Sequence, residues 1–177
     1  MKTGHKLITL MSGGGVRYET PSYSNQYGSG DRSVSLLGKI STSGGAIWSV
    51  IDPLLGALIN GNTSDNGGYL GDGIAVANSY LLVDFTTPRL VTEIKIRFNT
   101  AGAASGVWRP VGWNGTTFTA IGPDFTLGTG LSSLVQTIDA SGNTTGYRGA
   151  GIQGVSGNSS FNLYYWSEVE FKIAAPL

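Results

Sequence analysis

Residues 80–98 read YLLVDFTTPRLVTEIKIRF, and this stretch decides the fold. Its second half alternates apolar with charged residues, and the apolar positions are Ile94, Ile96 and Phe98. Its first half has the same period, with apolar positions at Leu81, Val83 and Phe85. This alternation is typical of strands that have one buried and one solvated face. The stretch therefore predicts two strands, connected around Pro88, whose apolar faces need a second layer of structure to cover them.

The rest of the chain continues the pattern of short strands and turns. Further strand candidates lie at residues 32–42, 47–51, 107–121, 131–138, 147–155 and 168–173. In the last of these we expect Val169, Phe171 and Ile173 to point inward and the charged residues that alternate with them, Glu168, Glu170 and Lys172, to point outward. The dipeptide Asn114-Gly115 predicts a tight hairpin because both of its residues accept positive φ. With no helix predicted beyond one or two turns, the fold class is all-β, an antiparallel β-sandwich of the jelly-roll type.

Composition narrows the possible functions. The 177 residues suit one domain, and the 11 Lys and Arg residues balance the 11 Asp and Glu residues. We therefore expect no binding of nucleic acid and no membrane insertion, because no excess of positive charge is available for phosphates. The chain has no cysteine, which excludes disulfides, a thiolate nucleophile and a cysteine zinc site.

The N-terminal region differs from the rest of the chain. Residues 1–30 are polar and glycine-rich and predict an arm or covering segment, whereas residues 31–177 are predicted to form the jelly roll. The apolar run at residues 7–11 is too short for the core of a signal peptide. We expect no signal peptide.

Several motifs occur in the order in which one known family carries them. They are Asn60-Gly61-Asn62, Val83-Asp84-Phe85, the strand at residues 92–98, the hairpin at residues 113–118 and Glu168-Val169-Glu170-Phe171. In this order they resemble the discoidin or coagulation-factor type C domains, galactose-binding-like jelly rolls that include many carbohydrate-binding modules. The chain departs from the family at Asn60, where Asp is usual, and at Phe118, where the resemblance implies a core Trp.

Four further segments are similar to the version of this family found in phage and prophage tail proteins. They read GDRS (30–33), GYR (146–148), GVSG (154–157) and SEVEFK (167–172), and the whole resemblance spans residues 28–173. It implies a virion location, in a tail or on an exposed surface. It also implies that the partners are a glycan of a bacterial cell surface and other virion proteins, with many copies or an oligomer in one particle.

The resemblance also implies a calcium ion, held by Asn60, Asn62, Ser64, Asp65 and Glu168. Calcium requires about six to eight oxygen ligands, including carboxylate and backbone carbonyl groups. Asn60 in place of Asp removes one of the expected charges. The alternative is a loop that its own Asx turns hold together.

Aromatic residues beside polar partners are the candidates for sugar contacts. An aromatic face packs against the C–H surface of a sugar, and planar polar groups bind its hydroxyls. Three such clusters are Trp108 with Arg109, Tyr69 with Asp72, and Tyr164 with Asn162, and the first is our preferred candidate. The alternative for each aromatic is a core or subunit-interface position, to which we assign Trp48 and Trp166.

Enzymatic activity is not expected. The chain has one histidine, His5, in the predicted arm, so a Ser-His-Asp triad has no support. Glu168 and Glu170 are two residues apart on one strand and are the candidate pair for glycoside hydrolysis, but a solvated strand face is the simpler interpretation.

These observations favour a non-enzymatic binding module of a phage or phage-like particle that contacts host glycans through its loops. The alternative is a structural decoration or adaptor subunit of a virion that binds other virion proteins and no sugar. A third hypothesis, a small glycosidase, makes Glu168 essential for catalysis.

Overall fold

The computed structural model describes residues 15–36, 38–43, 48–50, 55–65, 67–70, 73–98, 106–127, 135–159 and 165–177. Within these ranges the chain forms ten strands. They are β1 (Ile40–Thr42), β2 (Trp48–Val50), β3 (Gly68–Leu70), β4 (Tyr80–Phe98), β5 (Val107–Trp113), β6 (Phe118–Ala120), β7 (Phe125–Thr126), β8 (Val135–Asp139), β9 (Gly146–Ser156) and β10 (Tyr165–Ala174). The described residues also contain one helical turn, α1 (Ser33–Leu36), and one 3₁₀ turn, Gly56–Leu58.

β4 is one continuous strand of 19 residues, not the two connected strands expected from the sequence. Its pairing with β9 is interrupted between Asp84 and Arg89, and Thr86 within the interruption has a φ of 65°. Pro88 lies in this interruption, so its missing N–H removes no bond from the ladder. The break in periodicity therefore marks an irregularity that redirects a strand, as bulges do, and not a reversal of the chain.

The two halves of β4 belong to different parts of the sheet. The first half pairs with β1 on one side and β9 on the other, whereas the second half pairs with β10 and β8. β5 extends the first part from β9, and β3 and β2 extend the second part from β10. Each of these ladders is antiparallel, and the antiparallel β-sandwich predicted from the sequence is confirmed.

The core lies between the two parts of the sheet. Five of the six predicted inward residues of β4 are at most 1% exposed, namely Leu81, Val83, Phe85, Ile94 and Ile96, and the Phe98 side chain is not among those described. The Phe85 ring meets the Phe171 ring of β10 edge to face, with their centroids 5.1 Å apart. β4 has a bulge at Thr92, because Val91 pairs with Ile173 and Glu93 pairs with the adjacent residue Lys172. The extra residue reverses the alternation, so odd-numbered residues face the core before the bulge and even-numbered residues face it afterwards.

The segment before β1 differs from the expected first strand. Only Ile40–Thr42 is a strand, and residues 33–36 form the turn α1. Leu36 is 1% exposed and Val34 is fully exposed, because a helical turn places these residues on different faces. None of the described helical segments is long and apolar enough to cross a membrane.

The described part of the predicted N-terminal arm lies along β10. Ser22 bridges to Ile173, Tyr18 bridges to Pro176, and the Phe171 N–H donates to the Gly28 carbonyl at 2.8 Å. This segment therefore extends the sheet beside the half of β10 that β3 does not reach.

Candidate functional site

The outer face of β4 forms the floor of an open groove. Because Leu81, Val83 and Phe85 face the core, the residues between them, Leu82 and Asp84, face the other way. β1 lies on one side of this floor, and the β5–β6 hairpin stands on the other. The groove has a volume of about 420 Å³, which is within the range of small-ligand sites.

Three half-buried aromatic residues line the groove: Tyr80, Trp113 and Phe118. The Tyr80 and Phe118 rings are 5.2 Å apart between centroids and tilted by 46°. Trp113 and Phe118 pair directly across the β5–β6 hairpin. The resemblance implied a core position for residue 118, and Phe118 instead packs on Tyr80 in the groove.

The predicted hairpin at Asn114-Gly115 positions two of these rings. Gly115 has a φ of 113°, which strains a residue with a Cβ. The Asn114 Oδ1 accepts hydrogen bonds from the Thr116 and Thr117 N–H groups, each at 2.9 Å. The turn therefore holds the ends of β5 and β6, and the aromatic side chains on them, in a fixed register.

A paired arginine and aspartate lie beside the aromatic residues. Arg148 on β9 donates to both carboxylate oxygens of Asp84, at 3.1 and 2.8 Å, and its guanidinium carbon lies 5.3 Å from the centre of the Trp113 ring. The hydrogen bonds to Asp84 raise the pKa of Arg148 above its ordinary value. Asp84 also accepts from the Thr86 N–H at 2.7 Å. The groove thus combines apolar rings with planar, charged hydrogen-bonding groups.

The structure places the preferred sequence candidates elsewhere. Trp108 is 0% exposed and lies in the core, so its ring offers no face to a ligand. This placement corrects the expectation that Trp108 presents its ring to a sugar, and the reason is that its position on β5 points inward, as that of the buried Pro110 does. Arg109 points outward and binds Asp124 through two hydrogen bonds of 2.9 and 3.0 Å.

The other predicted sugar contacts fall partly outside the described residues. Tyr69 lies on β3, where it pairs with Tyr165 and Ser49, and its side chain is not among those described. Asp72, Asn162 and Tyr164 lie outside the described residues. Their role in ligand binding stays a prediction. Of the two tryptophans assigned to packing, Trp166 is 1% exposed, which confirms its assignment, and the Trp48 side chain is not described.

Glu168, the predicted calcium ligand, is buried against an arginine. It is 1% exposed, and its Oε1 accepts from the Arg32 guanidinium, which is also buried. Its Oε2 accepts from the Gly61 N–H at 3.0 Å. The expectation that Glu168 points outward from the last strand is wrong, since Arg32 neutralises it inside the protein.

The loop at residues 60–65 is held by its own polar groups. Asn60 Oδ1 accepts from the Asn62 N–H at 2.8 Å, and Asn62 Oδ1 accepts from the Ser64 N–H at 3.1 Å. Asn60 Nδ2 donates to Asp65 Oδ2 at 2.8 Å. These are the Asx turns of the alternative interpretation, and they direct the loop oxygens to N–H donors. The donor set as arranged here does not fit a calcium ion, and the described residues contain no cluster of three or more Asp, Glu, His or Cys side chains.

The two carboxylates considered for hydrolysis are each bound to an arginine. Glu168 pairs with Arg32, and Glu170 accepts from Arg97 at 3.1 and 3.2 Å. Glu170 also lies 4.0 Å from the Lys95 ammonium group. Both side chains are therefore parts of ion pairs that link strands and segments of the fold.

The residues that form the groove were not identified as a site from the sequence. A signal was present, because the alternation that puts Leu81, Val83 and Phe85 inward also puts Leu82 and Asp84 together on the other face. Arg148 belongs to the segment at residues 146–148, which the sequence marks only through its family resemblance. That Trp113, Asp84 and Arg148 meet depends on strand pairing, in which Trp113 and Asp84 both lie opposite Gly149.

Comparisons with protein-family models and with curated proteins find no match. Solved structures do match in fold. The CBM32 of AlyQ, in complex with 4,5-unsaturated mannuronic acid, is 18% identical with a TM-score of 0.53, over 76% of this chain and 94% of that chain. The lectin domain of lectinolysin, complexed with Lewis B antigen, is 13% identical with a TM-score of 0.52, over 80% and 96%.

Chitosan-binding module 1 of a chitosanase/glucanase from Paenibacillus sp. IK-5 is 14% identical with a TM-score of 0.50, over 77% of this chain and 97% of that chain. At these identities the likeness concerns the fold. The galactose-binding-like β-sandwich implied by the sequence resemblance is confirmed.

Proposed function

We propose that the chain is a non-catalytic carbohydrate-binding module and that it binds sugar in the groove beside Trp113. The observation that carries the proposal is the meeting of Trp113, Tyr80 and Phe118 with the Asp84–Arg148 pair around one open groove. The proposal is supported by the fold, which is shared with a carbohydrate-binding module and a lectin domain that were each solved with a sugar bound.

The chemistry of the groove suits a sugar. Aromatic rings supply the apolar surface on which the C–H face of a pyranose packs, and Asp84 and Ser41 supply hydrogen-bonding groups for its hydroxyls. The groove is open along one side, so it buries only part of a ligand. We expect a dissociation constant between about millimolar and micromolar, or roughly −4 to −8 kcal/mol per site.

The main test is a glycan array followed by titration calorimetry with alginate oligosaccharides, chitosan oligosaccharides and Lewis B antigen. Trp113→Ala removes the largest ring in the groove, and we expect it to weaken binding of any positive glycan by about tenfold or more. Circular dichroism and the thermal midpoint verify that the variant is folded. An intact variant with unchanged affinity contradicts the groove as the site.

A matched pair of arginine variants locates the site. Arg148 and Arg109 are both partly exposed, each makes two hydrogen bonds to one aspartate, and they lie on adjacent strands. We expect Arg148→Ala to weaken glycan binding and Arg109→Ala to leave it unchanged. The reverse result would move the site to Arg109, beside the loops that the sequence favoured.

The charge of the groove favours acidic sugars. Lys39 lines the groove, and none of the ion pairs found among the described residues involves it, whereas the charge of Asp84 is balanced by Arg148. The groove region thus has one unbalanced positive charge. We expect alginate oligosaccharides to bind more tightly than neutral glycans at low salt, and Lys39→Gln to remove that preference. Equal binding of neutral and acidic probes by both proteins contradicts this assignment.

The biological setting that we propose is the tail or exposed surface of a phage or phage-like particle, where the module contacts a glycan of the bacterial host. The support is the sequence resemblance of segments such as Gly146-Tyr147-Arg148, whose Arg148 pairs with Asp84 beside the groove. Many copies in one particle would convert weak sites into high avidity.

Immunogold labelling of intact particles tests this setting. Labelling at a distal or exposed position supports host contact. A chain that is locked between other virion proteins and binds no glycan on the array supports the alternative function, a structural adaptor.

A further inference from the structure

A cationic side chain occupies the interior of the sandwich at the point where three segments meet. Arg32 is 5% exposed, and it lies against residues 27–30, the loop at residues 58–61 and Glu168 on β10. A charge in such a position is stable only if it is paired and all its donors are bound.

The hydrogen bonds of Arg32 meet this condition completely. The Nε–H donates to the Gly30 carbonyl at 3.0 Å, and Nη1 donates to the carbonyls of Tyr27 and Gly28 at 3.5 and 3.3 Å. Nη2 donates to the Leu58 carbonyl at 3.4 Å and to Glu168 Oε1. A guanidinium has five N–H groups, so each of them has an acceptor.

The set of acceptors is the kind that hard metal ions use. Four backbone carbonyls and one carboxylate oxygen converge on one cationic group, as carbonyl and carboxylate oxygens converge on calcium. The guanidinium lies beside the Asn60 loop and Glu168, which is where the sequence resemblance implied a calcium ion. We propose that Arg32 is a built-in cation that replaces a metal ion at this position, so that the fold is independent of calcium.

Two further observations support the proposal. The second oxygen of Glu168 accepts from the Gly61 N–H, so both oxygens of this carboxylate already have a donor within the protein. A divalent ion at Glu168 would also lie close to the guanidinium, and the two cations would repel one another. Burial lowers the pKa of the Arg32 guanidinium to about 10, and the side chain is therefore charged at neutral pH.

The first experiment uses the unmodified protein. Thermal unfolding is followed in millimolar calcium and, in parallel, in EDTA, and the purified protein is analysed for bound metal. We expect equal thermal midpoints and no stoichiometric calcium. A midpoint that rises with calcium concentration, as mass action requires for an ion that binds the folded state, or calcium that co-purifies at one ion per chain, overturns the proposal.

The second experiment compares two arginine variants. Arg32→Gln removes the buried cation, and Arg109→Gln removes an exposed one that is also paired with a carboxylate. We expect Arg32→Gln to lower the thermal midpoint by about 10 °C and Arg109→Gln to leave it unchanged. Equal midpoints for the two variants contradict the role of Arg32.

A third variant keeps the positive charge at position 32 and removes the planar guanidinium group. Arg32→Lys retains a cation but offers three donors in place of five. We expect a midpoint between those of Arg32→Gln and the unmodified protein, since the charge of Glu168 is still balanced but some of the carbonyls lose their donors. A midpoint equal to that of Arg32→Gln would show that charge at this position contributes nothing. If Arg32→Gln fails to fold, the calcium and EDTA comparison still decides the proposal.

Discussion

Two of the arginine–carboxylate pairs among the described residues have the same chemistry and different surroundings. In the Arg32–Glu168 pair the side chains are 4% and 1% exposed, whereas in the Arg148–Asp84 pair they are 47% and 17% exposed. The buried pair has backbone groups at its remaining positions, and the exposed pair has solvent and an open groove. From this difference we infer that the buried ion pair stabilises the fold, whereas each member of the exposed pair can exchange its partner for a ligand.

The physical reason lies in the solvent. Removing two charges from water is costly, so the buried pair must hold each partner in place with further hydrogen bonds, and it cannot release one of them cheaply. The exposed pair is screened by water and contributes little to the free energy of folding. The exposed pair can therefore take part in ligand binding. The Trp113 ring lies next to the Arg148 guanidinium and holds it in position.

The largest effect is expected from Glu168→Gln. The substitution leaves the Arg32 cation buried without a counter-charge, and we expect the free energy of unfolding to fall by about 3–5 kcal/mol. Urea unfolding measures the loss. The double variant Arg32→Met/Glu168→Leu removes both charges, and we expect it to lose less stability than Glu168→Gln alone, although four backbone carbonyls lose a donor. A Glu168→Gln protein as stable as the parent would contradict the inference that the buried pair stabilises the fold.

A partly buried hydrogen bond between Tyr23 and Glu93 predicts that the free energy of unfolding depends on pH. The Tyr23 hydroxyl donates to Glu93 Oε1 at 2.6 Å, and burial, followed by the bond to Glu93, raises the pKa of Tyr23 well above its ordinary value. Because the folded state holds this proton more tightly than the unfolded state, the stabilisation is complete below about pH 10 and is lost as pH rises above it.

Urea unfolding between about pH 9 and pH 11 tests this linkage. We expect the stability of the parent to fall more steeply over this range than that of Tyr23→Phe, which has no proton to lose. Parallel pH profiles for the two proteins would contradict the raised pKa. Tyr18→Phe is the matched control, since it changes a tyrosine on the same N-terminal segment.

The smallest effect on stability is expected from Asp84→Asn in the exposed pair. The side chain keeps its shape and can still accept from Arg148 and from the Thr86 N–H, so we expect an unchanged urea midpoint. Affinity for a neutral glycan such as Lewis B antigen should nevertheless fall by several-fold, because a charged acceptor binds hydroxyls more strongly than an amide does. A clear loss of stability in Asp84→Asn, or a glycan affinity equal to that of the parent, would contradict the difference that we infer between the exposed and the buried pair.

Local pattern was sufficient for the parts of the fold that depend on one strand at a time. Leu81, Val83 and Phe85 face the core as their alternation requires. A hairpin forms at Asn114-Gly115, but its loop spans residues 114–117, and of the two predicted turn residues only Gly115 has a positive φ. The same reasoning failed at Pro88, where a bulge and a chain reversal have the same signature in sequence. It also failed at Glu168, since an alternating strand gives no sign that a distant arginine will bury its carboxylate.

The sequence by itself determined the class of fold, because the period of two that sorts apolar from polar residues is a property of the extended backbone and is written in consecutive positions. Only the tertiary structure decided which polar groups meet. Arg32 and Glu168 are 136 residues apart, and Arg148 and Asp84 are 64 apart. Such meetings depend on strand register and on burial, which arise from the packing of the whole chain and have no local pattern to reveal them.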